Sequence, residues 1–186
     1  MALLEIIKHP DPLLRRKSED IDVFDEALRK TLQSMLETMH EAGGIGLAGV
    51  QVAFMKRALV IDIGHVDESQ DSSSDQEVER ENRRDRKKHS KPEFYLNPEI
   101  IKHEGDTEYE EGCLSIPGVY GMVKRSAKVT VKYQDEFGSK KEIEASDLRA
   151  IVLQHEIDHL NGVLFFDHLN ALSRSILLAK YKKNQK

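Results

Sequence analysis

Residues 146–162, SDLRAIVLQHEIDHLNG, decide how the rest of the chain is read. Leu148, Ile151, Val152, His155 and His159 fall at i, i+3 and i+4 spacing, Ser146 or Asp147 offers a cap, and Gly162 a stop. The spacing predicts a helix with both histidines on its apolar face. Four residues advance a helix by about 400°, so His155 and His159 stack within reach of one ion, with Glu156 projecting beside them. The bland alternative is a helix that matches HExxH by chance and keeps its histidines as hydrogen-bonded core. Only the remainder of the chain discriminates between the two.

Immediately upstream, Val129, Val131 and Tyr133 alternate with Lys128, Thr130 and Lys132, which predicts a half-buried strand over 127–133. Phe137 and Gly138 turn it into 140–145 as an antiparallel hairpin. Strand signals also occupy 94–101 and 58–63, the latter so continuously apolar that both of its faces are expected to be covered. The glycine-rich GIGLAGVQV at 44–52 marks close backbone approach. Before it, Leu28, Leu32, Met35, Leu36 and Met39 predict a helix starting near Asp22 and stopped by Gly43 and Gly44. HPDP at 9–12 reads as a turn after a short extended start at 3–7. Downstream, 163–166 reads as a short apolar strand, and 171–183 as an amphipathic helix carrying Ile176, Leu177 and Lys180 ahead of a basic tail.

The 186 residues suit one domain, 1–186, and are 39% hydrophobic and 33% charged. That charge is densest in 65–92, polar apart from Val66 and Val78. Such a segment cannot bury enough apolar surface to offset chain entropy, and unstructured loops beyond about 12–15 residues are uncommon in compact domains, so it is expected to be a mobile, solvated insertion. No secretory signal or membrane-length apolar run is present, which predicts a soluble cytoplasmic protein without a membrane partner. The net charge of −5 argues against nucleic acid as the main partner. One cysteine, Cys113, excludes an internal disulfide and leaves an inert residue, a reactive thiol or a ligand.

A catalytic metal on an HExxH helix needs a third protein ligand. The pattern HExxHxxGxxH is followed through Gly162 but ends at Phe165, which cannot bind metal, and no glutamate follows Glu156. Asp167 and His168 lie beyond the glycine, where nothing fixes their geometry. Cys113, in EEGCLSIPG, remains as the best candidate: Gly112 permits a tight backbone approach, and Pro117 with Gly118 punctuates the exit.

Three passages, Gly44 to Gln51, Glu111 to Ser115 and Gln154 to His159, stand in the order and spacing of the GxGxAAxQ, EGCLS and QHExDH motifs, and the chain resembles the bacterial peptide deformylases. That resemblance implies an α+β fold, with antiparallel strands packed around a central HExxH-bearing helix and a further helix at each end. It implies a metallo-hydrolase that removes the formyl group from the N-terminal formylmethionine of new proteins and releases formate. Cys113, His155 and His159 would hold one divalent ion, leaving a fourth position for water. Fe(II) is favoured by the resemblance, while the ligand set also suits Zn(II), Ni(II) or Co(II).

By the same resemblance Glu156 moves the protons, Gln51 and the Leu114 backbone N–H stabilise the oxyanion, and Gly46 helps hold the peptide backbone. Glu111 backs the metal ligands. Ile45, Tyr109, Leu148, Ile151 and Val152 line the pocket for the methionine side chain, though each reads equally well as core. Where the family usually has Ala then Pro before the glutamine, this chain has Gly49 and Val50, so a looser loop and a less well placed Gln51 are expected. The resemblance also implies contact between the C-terminal helix and ribosomal RNA through Lys180, Lys182, Lys183 and Lys186, which read equally as a solubilising end. A zinc endopeptidase and a noncatalytic protein stapled by its metal are the rival readings. Retention of Glu156, which need not bind metal, favours catalysis.

Overall fold

The side chain of Asp25 accepts the Leu28 N–H at 2.8 Å, and this cap starts the first helix, α1, at Glu26–Glu41, four residues later than the periodicity alone predicts. Residues 3–64 and 90–185 are described in the computed structural model of the chain. After α1 come strands β1 (Gly46–Ala48), β2 (Ala58–Ile61), β3 (Glu93–Cys113), β4 (Ile116–Gln134) and β5 (Lys140–Ser146). Helix α2 (Asp147–Leu160) and helix α3 (Ala171–Asn184) complete the order. The strands form one sheet, β1-β2-β3-β4-β5, every neighbouring pair antiparallel. Mixed helix and antiparallel sheet is the α+β class expected.

Successive residues of a strand point to opposite faces, and β2 uses both. Leu59 and Ile61 pack with Ala150, Val152, Leu153, Ile157 and Leu160 of α2. Ala58 and Val60 pack with Leu28, Leu32, Met35, Leu36 and Met39 of α1. A strand covered on both sides has no polar face to alternate, which is why 58–61 reads as a continuous apolar run. Leu153 is completely buried, and its truncation to Ala would cost about 2–5 kcal/mol. A third cluster joins Leu177 and Tyr181 of α3 to Ile116, Val119 and Val123 of β4 and to Phe165 and Phe166. Tyr181 also donates to the His9 carbonyl at 2.8 Å, tying α3 to the HPDP turn.

Three expectations need correction. Strands β3 and β4 run on well past 101 and begin well before 127, forming a long ribbon whose tip carries Cys113. Most of residues 102–112 are exposed, so the ribbon has no apolar stripe to betray a period of two. It is held instead by its backbone ladder and by opposed charges such as Glu104 facing Lys128 and Glu108 facing Lys124. Second, α2 has no single apolar face: residues 150–157 are all buried, because the helix passes through the core rather than lying on it. Third, 163–166 is no strand; Phe165–His168 is a single 3-10 turn, whose entry is fixed by the Leu164 N–H donating to Asp167. Helix α3 buries Leu177 and Tyr181, while Ile176 stays 61% exposed.

Most of the 65–92 insertion lies outside the described residues. Its flanks meet at one carboxylate: Asp62 accepts the Gly64 N–H (3.1 Å), the Lys91 N–H (3.1 Å) and the Ser90 hydroxyl (2.5 Å), and contacts His40 of α1 at 2.8 Å. Among the described residues no helix is long and apolar enough to cross a membrane.

Candidate metal centre

The ribbon closes at its tip with Cys113 facing Ile116, and a register shift between Glu111 and Cys113 re-aims the strand there. This brings the Cys113 sulfur to 3.3 Å from His159 Nε2. His155 and His159, one turn apart on α2, have ring centroids 4.9 Å apart. One donor atom from each of Cys113, His155 and His159 lies within 4.8 Å of the others, and among the described residues this is the sole such group of three. Asp167 and His168, the other downstream candidates, are elsewhere: Asp167 pairs with Arg15 and Arg174, and His168 with Asp158.

The environment favours the thiolate at Cys113 and orients the His155 ring. Burial raises the Cys113 thiol, but the charge on His159 and hydrogen bonds with both histidines outweigh it and hold the thiol well below its ordinary value. The thiolate, which binds metal, is therefore the stable form. Burial lowers the His155 imidazole, yet its bonds to Cys113 and Glu111 carry it well above the usual histidine range. Glu111 Oε2 lies 2.7 Å from His155 Nδ1, so that nitrogen keeps its proton, and an ion would take the place of the proton on Nε2. Glu111 is itself clamped by Arg125, Nε to Oε1 at 2.7 Å and Nη2 to Oε2 at 3.0 Å. Burial raises the Glu111 carboxyl, and the bonds from His155 and Arg125 bring it below its ordinary range.

Glu156 is 4% exposed, and burial pushes its carboxyl upward, the direction that suits a group required to take and return a proton. Its Oε2 and the Nδ1 of His159 are buried side-chain atoms without a hydrogen-bond partner among the described residues. Gly46 makes room for this carboxylate: a Cβ there would stand 2.5 Å from Glu156 Oε1.

Gln51 sits in the 3-10 turn Gly49–Val52 that follows β1, and is 1% exposed. Its Oε1 accepts the Ala48 N–H at 2.8 Å, while Nε2 donates to Ser115 Oγ at 3.2 Å and toward Cys113 Sγ at 3.5 Å. The expected looseness around Gly49 is absent. The Phe54 N–H bonds the Gly49 carbonyl at 2.9 Å, and a Cβ on Gly49 would stand 2.5 Å from the Phe54 carbonyl oxygen. Glycine serves here to let two backbone segments touch.

A cleft of about 610 Å³ opens over these groups. Its wall includes Ile45, Gly46, Gln51, Tyr109, Glu111, Cys113, Leu114, Leu148, Ile151, Val152, His155 and Glu156, all singled out in the sequence. Ile151 and Val152 are also core, at 4% and 6% exposure, whereas Tyr109 is 43% exposed at the rim. Three contributors escaped the sequence. Ser115 stands inside a motif that drew attention to Cys113. Lys8, whose ammonium donates to the Leu114 carbonyl at 2.5 Å, stands between the extended start and the HPDP turn. Arg125 is one of several basic residues on β4; it stands opposite Thr107 in the ribbon, and only the folded structure shows its buried side chain reaching along to Glu111.

The polypeptide deformylase family model matches residues 3–175. The peptide deformylase of Chromobacterium violaceum is 42% identical over 186 residues, covering 100% of this chain and 98% of that protein. That of Mesorhizobium japonicum is 44% identical over 184 residues, with 98% and 93% covered. Among solved structures, a peptide deformylase from Legionella pneumophila superposes with a TM-score of 0.82 at 38% identity, covering 99% of this chain and 96% of that one. One from Synechococcus elongatus in complex with actinonin superposes at 0.81 and 37% identity, covering 96% and 88%.

Proposed function

The chain belongs to the polypeptide deformylase family, and from that membership we infer how its own residues carry out the reaction: metal-dependent removal of the formyl group from the N-terminus of new proteins. The observation that carries the assignment of roles is the cluster of three soft or borderline donors within 4.8 Å of one another beside the buried carboxylate of Glu156. Cys113, His155 and His159 would hold one divalent ion. Thiolate and imidazoles fit such an ion in type and number, the lowered Cys113 thiol fits it in protonation, and the His155 ring, held at Nδ1 by Glu111, fits it in orientation, the Nε2 proton leaving as the ion binds. When bound, the ion supplies Lewis acidity and brings the pKa of water toward neutrality.

The protein's groups do the rest. Glu156 takes a proton from the attacking water and returns one to the departing amine as the formyl C–N bond breaks, giving formate and a free N-terminus. Gln51, its amide held by the Ala48 N–H at Oε1 and by Ser115 at one N–H of Nε2, turns its second N–H from the Cys113 sulfur to the developing oxyanion, together with the Leu114 N–H. Gly46 lets the peptide backbone approach. Ile45, Tyr109, Leu148, Ile151 and Val152 take the methionine side chain, with preference rather than exclusivity, since one methylene in an apolar pocket discriminates by about 1–3 kcal/mol.

Fe(II) is the proposed native ion. Residues 1–186 act as one catalytic domain in which the 65–92 insertion is a spacer outside the chemistry. The exposed Lys180, Lys182 and Lys183 of α3 are proposed to touch ribosomal RNA in the cytoplasm, where formylated chains emerge. The decisive experiment measures formate release from a formyl-Met peptide beside cleavage of unformylated peptides. Glu156→Gln should retain metal and lose about 10²–10⁴-fold in turnover. Cleavage of internal bonds, or near-parental formate release by that variant, overturns the proposal.

A further inference from the structure

Beyond Glu111 the hydrogen-bond chain continues to the surface. Arg125 Nη1 donates to Asp158 Oδ2 at 2.6 Å, and the same oxygen lies 2.7 Å from His168 Nε2. His168 ends the turn Phe165–His168 and its side chain is 35% exposed, against 4% for both Arg125 and Glu111. A 2.7 Å contact with a carboxylate requires Nε2 to carry the proton. It therefore cannot also accept from Arg125 Nη1, 3.3 Å away, and both groups donate to Asp158.

The geometry makes each link depend on the next. A guanidinium is planar, and two of its nitrogens are committed to Glu111. The third, Nη1, finds its carboxylate in Asp158, which sets the rotation of the plane that Arg125 presents. Glu111 Oε2 serves both Arg125 Nη2 and His155 Nδ1, so a rotation of the guanidinium reaches the imidazole. Four elements meet in this chain: α2 through His155 and Asp158, β3 through Glu111, β4 through Arg125, and the turn through His168. Its outer end opens on a polar depression of about 290 Å³ lined in part by His103, Asp106 and Lys124.

We propose that His168 is a positioning residue of the metal centre, acting through Asp158, Arg125 and Glu111 to fix the ring plane of His155. The proposal rests on the assignment of His155 as a ligand. Protein freed of metal is titrated with Co(II) alone, reading the dissociation constant and the visible ligand-field absorption, for the parent, His168→Ala, His168→Gln and Asp158→Asn. Thermal midpoints of the metal-free proteins are recorded alongside. Partners of a metal ligand typically change affinity by about 10–100-fold, and His168 stands farther out, so His168→Ala should weaken Co(II) by roughly 3–10-fold and shift its bands. His168→Gln, which keeps an N–H donor near the same place, should restore most of both; Asp158→Asn should weaken Co(II) at least as much as His168→Ala. Unchanged affinity and bands in His168→Ala overturn the proposal. So does a loss of affinity that merely follows the thermal midpoint in every variant, Gln included. Failure of the parent to bind Co(II), or binding undiminished by His155→Ala, overturns instead the ligand assignment on which the proposal stands.

Discussion

Gly46→Ala separates stability from catalysis at this site. The new Cβ would lie 2.5 Å from Glu156 Oε1 and 2.8 Å from Val152 Cγ1, whereas ordinary contacts begin at 3.4 Å. The carboxylate must therefore retreat by about 0.9 Å and the valine by about 0.6 Å. Overpacking of a buried site costs about 1–3 kcal/mol, and Gly→Ala returns about 0.4–1 kcal/mol by restricting the unfolded chain. The far end of a glutamate swings readily, which places the net destabilisation near the low end, about 1 kcal/mol. Catalysis has no such escape. A catalytic group misplaced by about 1 Å loses on the order of 10²-fold in rate, so kcat should fall about a hundredfold with metal content unchanged. Formate release at saturating formyl-Met peptide, a urea titration and elemental analysis give the three quantities. A kcat within about three-fold of the parent would refute the claim that Glu156 works from the position Gly46 leaves open.

Asp167 links Arg15 and Arg174, and although burial raises its carboxyl, the bonds from Arg15, the Leu164 N–H and Arg174 bring it to about 2 from an ordinary 3.8. A depressed carboxyl stabilises above its unfolded pKa and loses that stability as pH falls through the folded one. Asp167→Asn should thus cost about 1–2 kcal/mol at pH 7 after solvent screening, with roughly half of the gap gone by pH 3; urea midpoints that differ equally at both pH values contradict this. Reconstituted without oxygen, the Fe(II) form should be the most active and fail in air as iron and the Cys113 sulfur oxidise, Ni(II) or Co(II) should last longer, and Zn(II) should turn over poorly. Equal zinc and iron activities per bound metal, with iron stable in air, would remove the Fe(II) assignment. Replacing Lys180, Lys182 and Lys183 by Glu should weaken salt-dependent ribosome binding without lowering formate release; unchanged binding would leave these lysines a solubilising end.

What the chain declares by itself is local. The i, i+4 histidines, Glu156 between them and the glycine that stops the helix are legible because helical geometry is set by neighbours in sequence. The apolar run at 58–61 likewise announces a strand covered on both faces. The EGCLS passage can be singled out by elimination, since Phe165 fills the alternative ligand position and no glutamate follows Glu156. Other features become visible only when distant segments pair. Ribbon 102–126 carries charge on wet faces, so no hydrophobic period marks it, and only in the folded ribbon does the Arg125 side chain, opposite Thr107, reach along to Glu111, 14 residues away. Gln51 meets Ser115 across 64 residues, and His155 meets Glu111 across 44. Gly49 would be taken for slack until the Phe54 carbonyl is found against it. Burial and hydrogen-bond partnership are properties of the assembled core, and a buried Arg125 is indistinguishable in sequence from the exposed Lys124 beside it, because only tertiary packing decides which of the two loses water.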